Sequence, residues 1–299
     1  MRRTRPLGAL ILAVVLPLAG ACSDGADNPS AVTTSTAPSA SASPTPTVPE
    51  LAITGVDYAF QVTGTATAGM TKISFTNAGK EEHMTGMGKL VAGKTLADVQ
   101  TALKSGEESA FGAVFDEKEG DKDAPQLLSP GYSAATYTTL SEGTYALICF
   151  IPAPDGKSHY EKGMLSEIKV TAATSATAVP PTPAFELSFK DGKLDGPETL
   201  PAGKTVFNVT TDANHELIGV VGLGGKTPDE GLAYIEAKFE GKPPTGPAQG
   251  AVVLQLHDFE PNEQIVVEMD LPPGPVMFVC QLENDGTPKH TEKLTITVT

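Results

Sequence analysis

Apolar and β-branched residues gather along this chain in short runs. TKISFTN, TYALICF, EIKVTA, KTVFNVTT, EQIVVEMDL, VMFVCQL and KLTITVT are bounded by Gly, Pro and Asn, and runs of this length and makeup predict β-strands. Two segments carry helix-start signals instead. KTLADVQTALKS has Thr95 and Asp98 at capping-box spacing. KTPDEGLAYIEAKF has Thr227 at the N-cap, Pro228 at the first helical position and Glu230 in the first turn. Many short strands with one short helix inserted in each half predict an all-β chain built as two tandem Greek-key β-sandwiches.

The pattern fails in three places. Residues 1–21 combine Arg2, Arg3 and Arg5 with an apolar run over 7–18 that Pro17 interrupts, the layout of a secretory signal peptide. The Leu-Ala-Gly-Ala-Cys ending resembles a bacterial lipobox, which implies lipidation of Cys22 as the new N-terminus. Residues 22–50 are rich in Ser, Thr, Ala and Pro and lack the apolar side chains needed to offset the entropy of ordering, so they read as a disordered stalk. A similar stretch at 172–184 reads as a linker between blocks at 51–171 and 185–299, each the size of a small domain. No later apolar run approaches the ~20 residues of a transmembrane helix. The expected location is therefore the extracytoplasmic face of the cell membrane, held by acyl chains alone.

Charge narrows the partners. The signal contains every Arg in the chain, so eighteen Lys then face 36 Asp plus Glu, a formal charge of −18. Nucleic acid needs a basic surface and is excluded. A basic protein partner or a cation fits, and so does acidity that serves solubility alone.

The two blocks share a constellation of residues. ATAGMTKISFTNAGKEEH ends at His83, and LPAGKTVFNVTTDANH ends at His215. LSEGTYALICF carries Cys149, and LPPGPVMFVCQ carries Cys280. After each Cys come nine residues and then a His, His159 or His290. The offsets between blocks are 132, 131 and 131 residues, so three chemically special residues return in register.

NAGKEEH (77–83), GTYALIC (143–149) and His159-Tyr-Glu-Lys-Gly-Met164 resemble the ligand-bearing segments of the cupredoxin, or type 1 (blue) copper, family. The resemblance covers both blocks. It implies a copper site formed by His83, Cys149, His159 and Met164, and a second formed by His215, Cys280 and His290. The chemistry of such a set is two imidazoles, one thiolate and a weak axial thioether. The nine-residue Cys-to-His loop is longer than in small cupredoxins. Its Pro152, Pro154 and Asp155-Gly156 predict a stiff turn that folds back. In the second block Leu294 and Thr295 stand where the axial ligand is expected. Met84, just past His83, could also line the first site. The alternative for Cys149 and Cys280 is burial as small hydrophobes or pairing in a disulfide.

The chain has no His-x-His pair, no Gly-x-Ser-x-Gly, no HExxH and no phosphate loop. The resulting expectation is a membrane-anchored copper protein that is not an enzyme. It carries single electrons through a type 1 copper in the first block and exchanges them, or copper, with a protein partner. The alternatives are copper scavenging or delivery without redox work, and a metal-free surface interaction module.

Overall fold

A computed structural model describes residues 47–299 apart from 117–118, 120–123, 174–177, 213–214, 222–226, 231–232, 234–250, 260–261 and 285–286. For 108, 215–216, 220, 257–259, 281–284 and 287–291 it describes the backbone only. Residues 45–299 form one compact unit. No described helix is long and apolar enough to cross a membrane. Cys22 and nearly all of the stalk lie outside the described residues.

The first block runs β1 (Glu50–Val56), β2 (Ala59–Gly64), β3 (Ala66–Thr67), β4 (Gly69–Asn77), β5 (His83–Met84), β6 (Gly86–Lys89), α1 (Leu96–Ser105), α2 (Glu108–Gly112), β7 (Leu127–Leu128), β8 (Ser133–Leu140), β9 (Gly143–Ile148), a 3₁₀ turn (His159–Lys162) and β10 (Leu165–Thr171). The second runs β11 (Phe185–Lys190), β12 (Lys193–Asp195), β13 (Thr199–Leu200), β14 (Gly203–Thr211), β15 (His215–Val221), β16 (Ala251–Phe259), β17 (Gln264–Leu271), β18 (Gly274–Asn284) and β19 (Thr287–Val298). The fold is all-β, as the runs of β-branched residues predict.

Strand order repeats between the blocks. In the first, β2-β1-β4-β8 forms one sheet and β3-β10-β9-β6 the other. In the second, β12-β11-β14-β17 forms one sheet and β13-β19-β18-β15 the other, with β16 added at its edge. The special pairings repeat too: β1 runs parallel to β4 as β11 does to β14, and β3 parallel to β10 as β13 does to β19. Inward positions follow the period of two that a strand dictates. On β4 these are Thr71, Ile73, Phe75 and Asn77; on β14 Thr205, Phe207 and Val209. Such a two-sheet arrangement of mixed parallel and antiparallel strands is cupredoxin-like.

The blocks do not hang on a free linker. β8 pairs antiparallel with β17, Tyr137 opposite Val266 through Ala134 opposite Met269, so the first sheets of both blocks merge into one of eight strands. At this seam Glu268 of β17 accepts hydrogen bonds from Lys72 (2.9 Å) and Tyr137 (2.9 Å) and forms an ion pair with Lys204 (2.8 Å). A second junction lies between β7 and β16, where Ser129 N–H donates to Val252 O and Val252 N–H to Ser129 Oγ.

The helix signals are also visible. Thr95 and Asp98 close a capping box at the start of α1, and Gly106 ends that helix in the left-handed region (φ 65°). One helix was expected in this segment; α2 is a second, set by the short run around Phe111, which stacks on Phe115. In the second block Thr227 and Glu230 make the expected reciprocal pair, and most of the helix predicted beyond them lies outside the described residues.

Candidate metal centre

Four sequence-predicted residues of the first block come to one end of its sandwich. His83 opens β5, Cys149 follows the last residue of β9, His159 opens the 3₁₀ turn, and Met164 precedes β10. All four are fully buried. The backbone fixes their spacing. His159 N–H donates to Ile151 O, Tyr160 N–H to Cys149 O, Met164 N–H to His159 O, and Cys149 N–H to Met164 O. Cys, His and Met thus sit on one hydrogen-bonded frame. The long loop between Cys149 and His159 folds back on itself as its prolines and Asp-Gly predict. Pro152 bridges Ser158, Ala153 N–H donates to Lys157 O, and Gly156 turns at φ 81°.

The donor atoms converge. His83 Nδ1 lies 3.1 Å from His159 Nδ1, and Cys149 Sγ lies 3.4 Å from His159 Nδ1. The three ligand atoms all fall within 4.8 Å of one another. Met164 takes its place beside them: a Cβ on Gly55 would lie 3.2 Å from Met164 Cε and 3.3 Å from His83 Cδ2. Gly55 is therefore a close-packing glycine at the floor of the site.

The far nitrogens decide the chemistry. His83 Nε2 is 2.8 Å from Asp57 Oδ1, and His159 Nε2 is 2.9 Å from Glu81 Oε2. A carboxylate only accepts, so each Nε2 carries the proton and each Nδ1 turns a lone pair inward. Burial lowers the pKa of His83 despite its hydrogen bond to Asp57, so its ring is neutral. Burial pushes the Cys149 thiol up, opposed by the amides of Met84 and Ile151; Met84 N–H lies 3.4 Å from Sγ. Two imidazole lone pairs, a sulfur and an adjacent thioether converge on one buried point, an arrangement that suits a soft cation once the thiol gives up its proton. Two nitrogens, one soft thiolate and a thioether are the donor set of a type 1 copper site, and copper is the metal that these residues fit.

Asn77 organises the loop that supplies Glu81 and His83. It is fully buried, its Nδ2 donates to Glu81 O and Leu128 O (both 2.8 Å), and its Oδ1 accepts from Gly79 N–H (2.9 Å). Gly79 is bare because a Cβ there would lie 2.4 Å from both Asp57 Oδ1 and His83 Nε2. Asp57, Glu81 and Tyr58, which donates to Glu81 Oε1 (2.7 Å), escaped the sequence reading. Asp57 stands on the β1–β2 turn, 26 residues before the His it touches, and no spacing rule links them.

The remaining expectations resolve unevenly. Met84 does not take the axial place beside Gly55; its side chain packs with Ile151 on Leu127, Ile218, Val252, Met277 and Val279. Cys149 and Cys280 do not form a disulfide, and Cys280 lies in the core cluster with Leu217 and Phe278. His215 stands opposite Leu282, which stands opposite His290. Cys280 is two residues from Leu282 along β18. The side chains of His215 and His290 lie outside the described residues. Leu294 packs against the core where the axial ligand was expected.

No family model and no curated protein matches the chain. Solved structures that it matches include reduced auracyanin from the photosynthetic bacterium Roseiflexus castenholzii, 20% identical over 41% of this chain and 96% of that one, with a TM-score of 0.28. A multicopper oxidase is 12% identical over 84% and 88% of the two chains, with a TM-score of 0.24. The copper-containing nitrite reductase from Thermus scotoductus is 11% identical over 85% and 61%, with a TM-score of 0.20. The expectation that the chain is not an enzyme is corrected by these matches, since oxidases and a reductase stand among them.

Proposed function

We propose that this chain is a lipid-anchored, extracytoplasmic copper protein whose first-block centre carries single electrons. One observation carries the reading: His83, Cys149 and His159 converge in full burial with their proton-bearing edges already turned outward. When bound, copper supplies a one-electron couple, and its bond to thiolate an intense charge-transfer colour. The protein's own part is to hold still. The ligands sit on strand ends and a hydrogen-bonded turn, and little needs to rearrange when charge changes by one. Burial of every donor keeps water from the metal and favours a carrier over a site that hands its metal on. The signal peptide, the Cys22 anchor and the stalk put this centre outside the membrane, within reach of a redox or copper-donor protein. The chain's acidity favours a basic partner.

The test is titration of the purified protein with Cu(II). Intense colour that bleaches reversibly with reductant is expected, with loss of the first-block colour in Cys149→Ser and an unchanged far-UV spectrum. A pale protein that prefers Cu(I) would instead mean copper delivery, and absence of binding a metal-free interaction module. Cys280→Ser reports on the second block separately.

A further inference from the structure

The two carboxylates behind the imidazoles are too well built to be incidental. Asp57 accepts hydrogen bonds from Lys80 N–H on both oxygens, 3.1 and 3.0 Å, while facing His83 Nε2 at 2.8 Å. Glu81 accepts from Tyr58 Oη at 2.7 Å on one oxygen and faces His159 Nε2 at 2.9 Å with the other. Tyr58 is itself fixed, edge-on to the His159 ring at 4.8 Å between centroids and under Lys162 Nζ at 4.6 Å. Gly79 gives up its Cβ so that Asp57 can approach. Asp57 and Glu81 are 23% and 27% exposed, whereas both histidines are wholly buried. Each carboxylate thus closes the water side of a ligand ring.

Charge follows from this geometry. Cu(II) with one thiolate and neutral imidazoles leaves a local charge of +1, and two carboxylates carry it to −1. Adding an electron makes it −2. With the imidazoles wholly buried and the carboxylates about three-quarters covered, charges this near interact more strongly than in bulk water, so both carboxylates favour Cu(II) over Cu(I).

We propose that Asp57 and Glu81 are positioning residues that set the poise of the first-block centre, holding it toward the oxidised state and thus as a donor of electrons to a more oxidising partner. This deepens the copper reading and rests on it. Tyr58 is the counterweight, because its hydroxyl withdraws charge from Glu81.

The experiment is an optical redox titration of the copper-loaded protein, following the charge-transfer band against dyes of known potential. Asp57→Asn and Glu81→Gln keep an oxygen acceptor and remove the charge. Each is expected to keep the colour and raise the ratio of reduced to oxidised centre at fixed poise about tenfold, a shift of about 59 mV upward for one electron. Tyr58→Phe is expected to move the potential down. Unchanged potentials in the coloured Asn and Gln variants overturn the inference and leave the copper reading standing. If those two variants lose colour or fold, Tyr58→Phe decides: an unchanged or raised potential overturns it. A wild-type protein that takes up no Cu(II) overturns both readings.

Discussion

Replacing Glu268 by Gln should loosen the seam between the two blocks. The carboxylate is 13% exposed and meets Lys72 at 2.9 Å, Lys204 at 2.8 Å and Tyr137 at 2.9 Å. Burial alone would raise its pKa, but hydrogen bonds from Lys204, Lys72 and Tyr137 outweigh that and bring it to about 2 from an ordinary 4.5. A depressed carboxylate contributes stability above its unfolded pKa and loses it as pH falls through the folded one. The window therefore runs from about 4.5 down to about 2. At 1.36 kcal/mol per unit the shift corresponds to about 3 kcal/mol. Lys204 is 70% exposed and Lys72 16%, so solvent screening brings the expected cost of Glu268→Gln to about 2 kcal/mol at pH 7. The assay is urea denaturation of wild type and variant, followed by far-UV circular dichroism at pH 7 and pH 3. The gap should fall to about half or less at pH 3, where the unfolded carboxylate is already protonated. Equal stabilities at pH 7, or a gap that does not narrow with acid, would refute the reasoning.

Three further outcomes are expected. Gly79→Ala puts a methyl within 2.4 Å of Asp57 Oδ1 and His83 Nε2, and should weaken Cu(II) binding by about 10–100-fold in a competitive titration while moving the thermal midpoint little. Asn77→Ala leaves Leu128 O and Glu81 O without their donor and should cost about 3 kcal/mol in chemical denaturation. Met277→Ala opens a cavity at a fully buried position between the blocks and should cost about 2–5 kcal/mol, read from the same denaturation curves with the far-UV spectrum unchanged.

What the sequence made legible is what depends on local spacing. Ile73 and Phe75 alternate with polar neighbours, and that alternation alone gives β4 its inward face. His159 and Met164 are five positions apart, enough for one 3₁₀ turn and its Gly163 cap to bring both back to Cys149. What stayed hidden depends on chain crossings. Nothing in the sequence brings the β1–β2 turn, and Asp57 with it, over His83. Nor does the linker show that β8 would pair with β17. Strand edges carry the same backbone donors and acceptors whichever partner they find, and the choice is made by Lys72, Tyr137 and Glu268 meeting across 196 and 131 positions.

The second block is built into the first block's metal centre, whatever its own histidines hold. β18 presents opposite faces to two surroundings: Cys280 and Phe278 point into the second block's core, while Met277 and Val279 pack with Ile218 on Met84 and Ile151. Those last two are the residues whose amides favour the Cys149 thiolate, and Ile151 O also receives His159 N–H. The apolar wall that keeps water from the first site is thus supplied in part by the partner block. The two blocks meet across that wall as well as along the continuous sheet through β8 and β17, so a substitution at Met277 or Val279 tests the first block's centre from the second block's side.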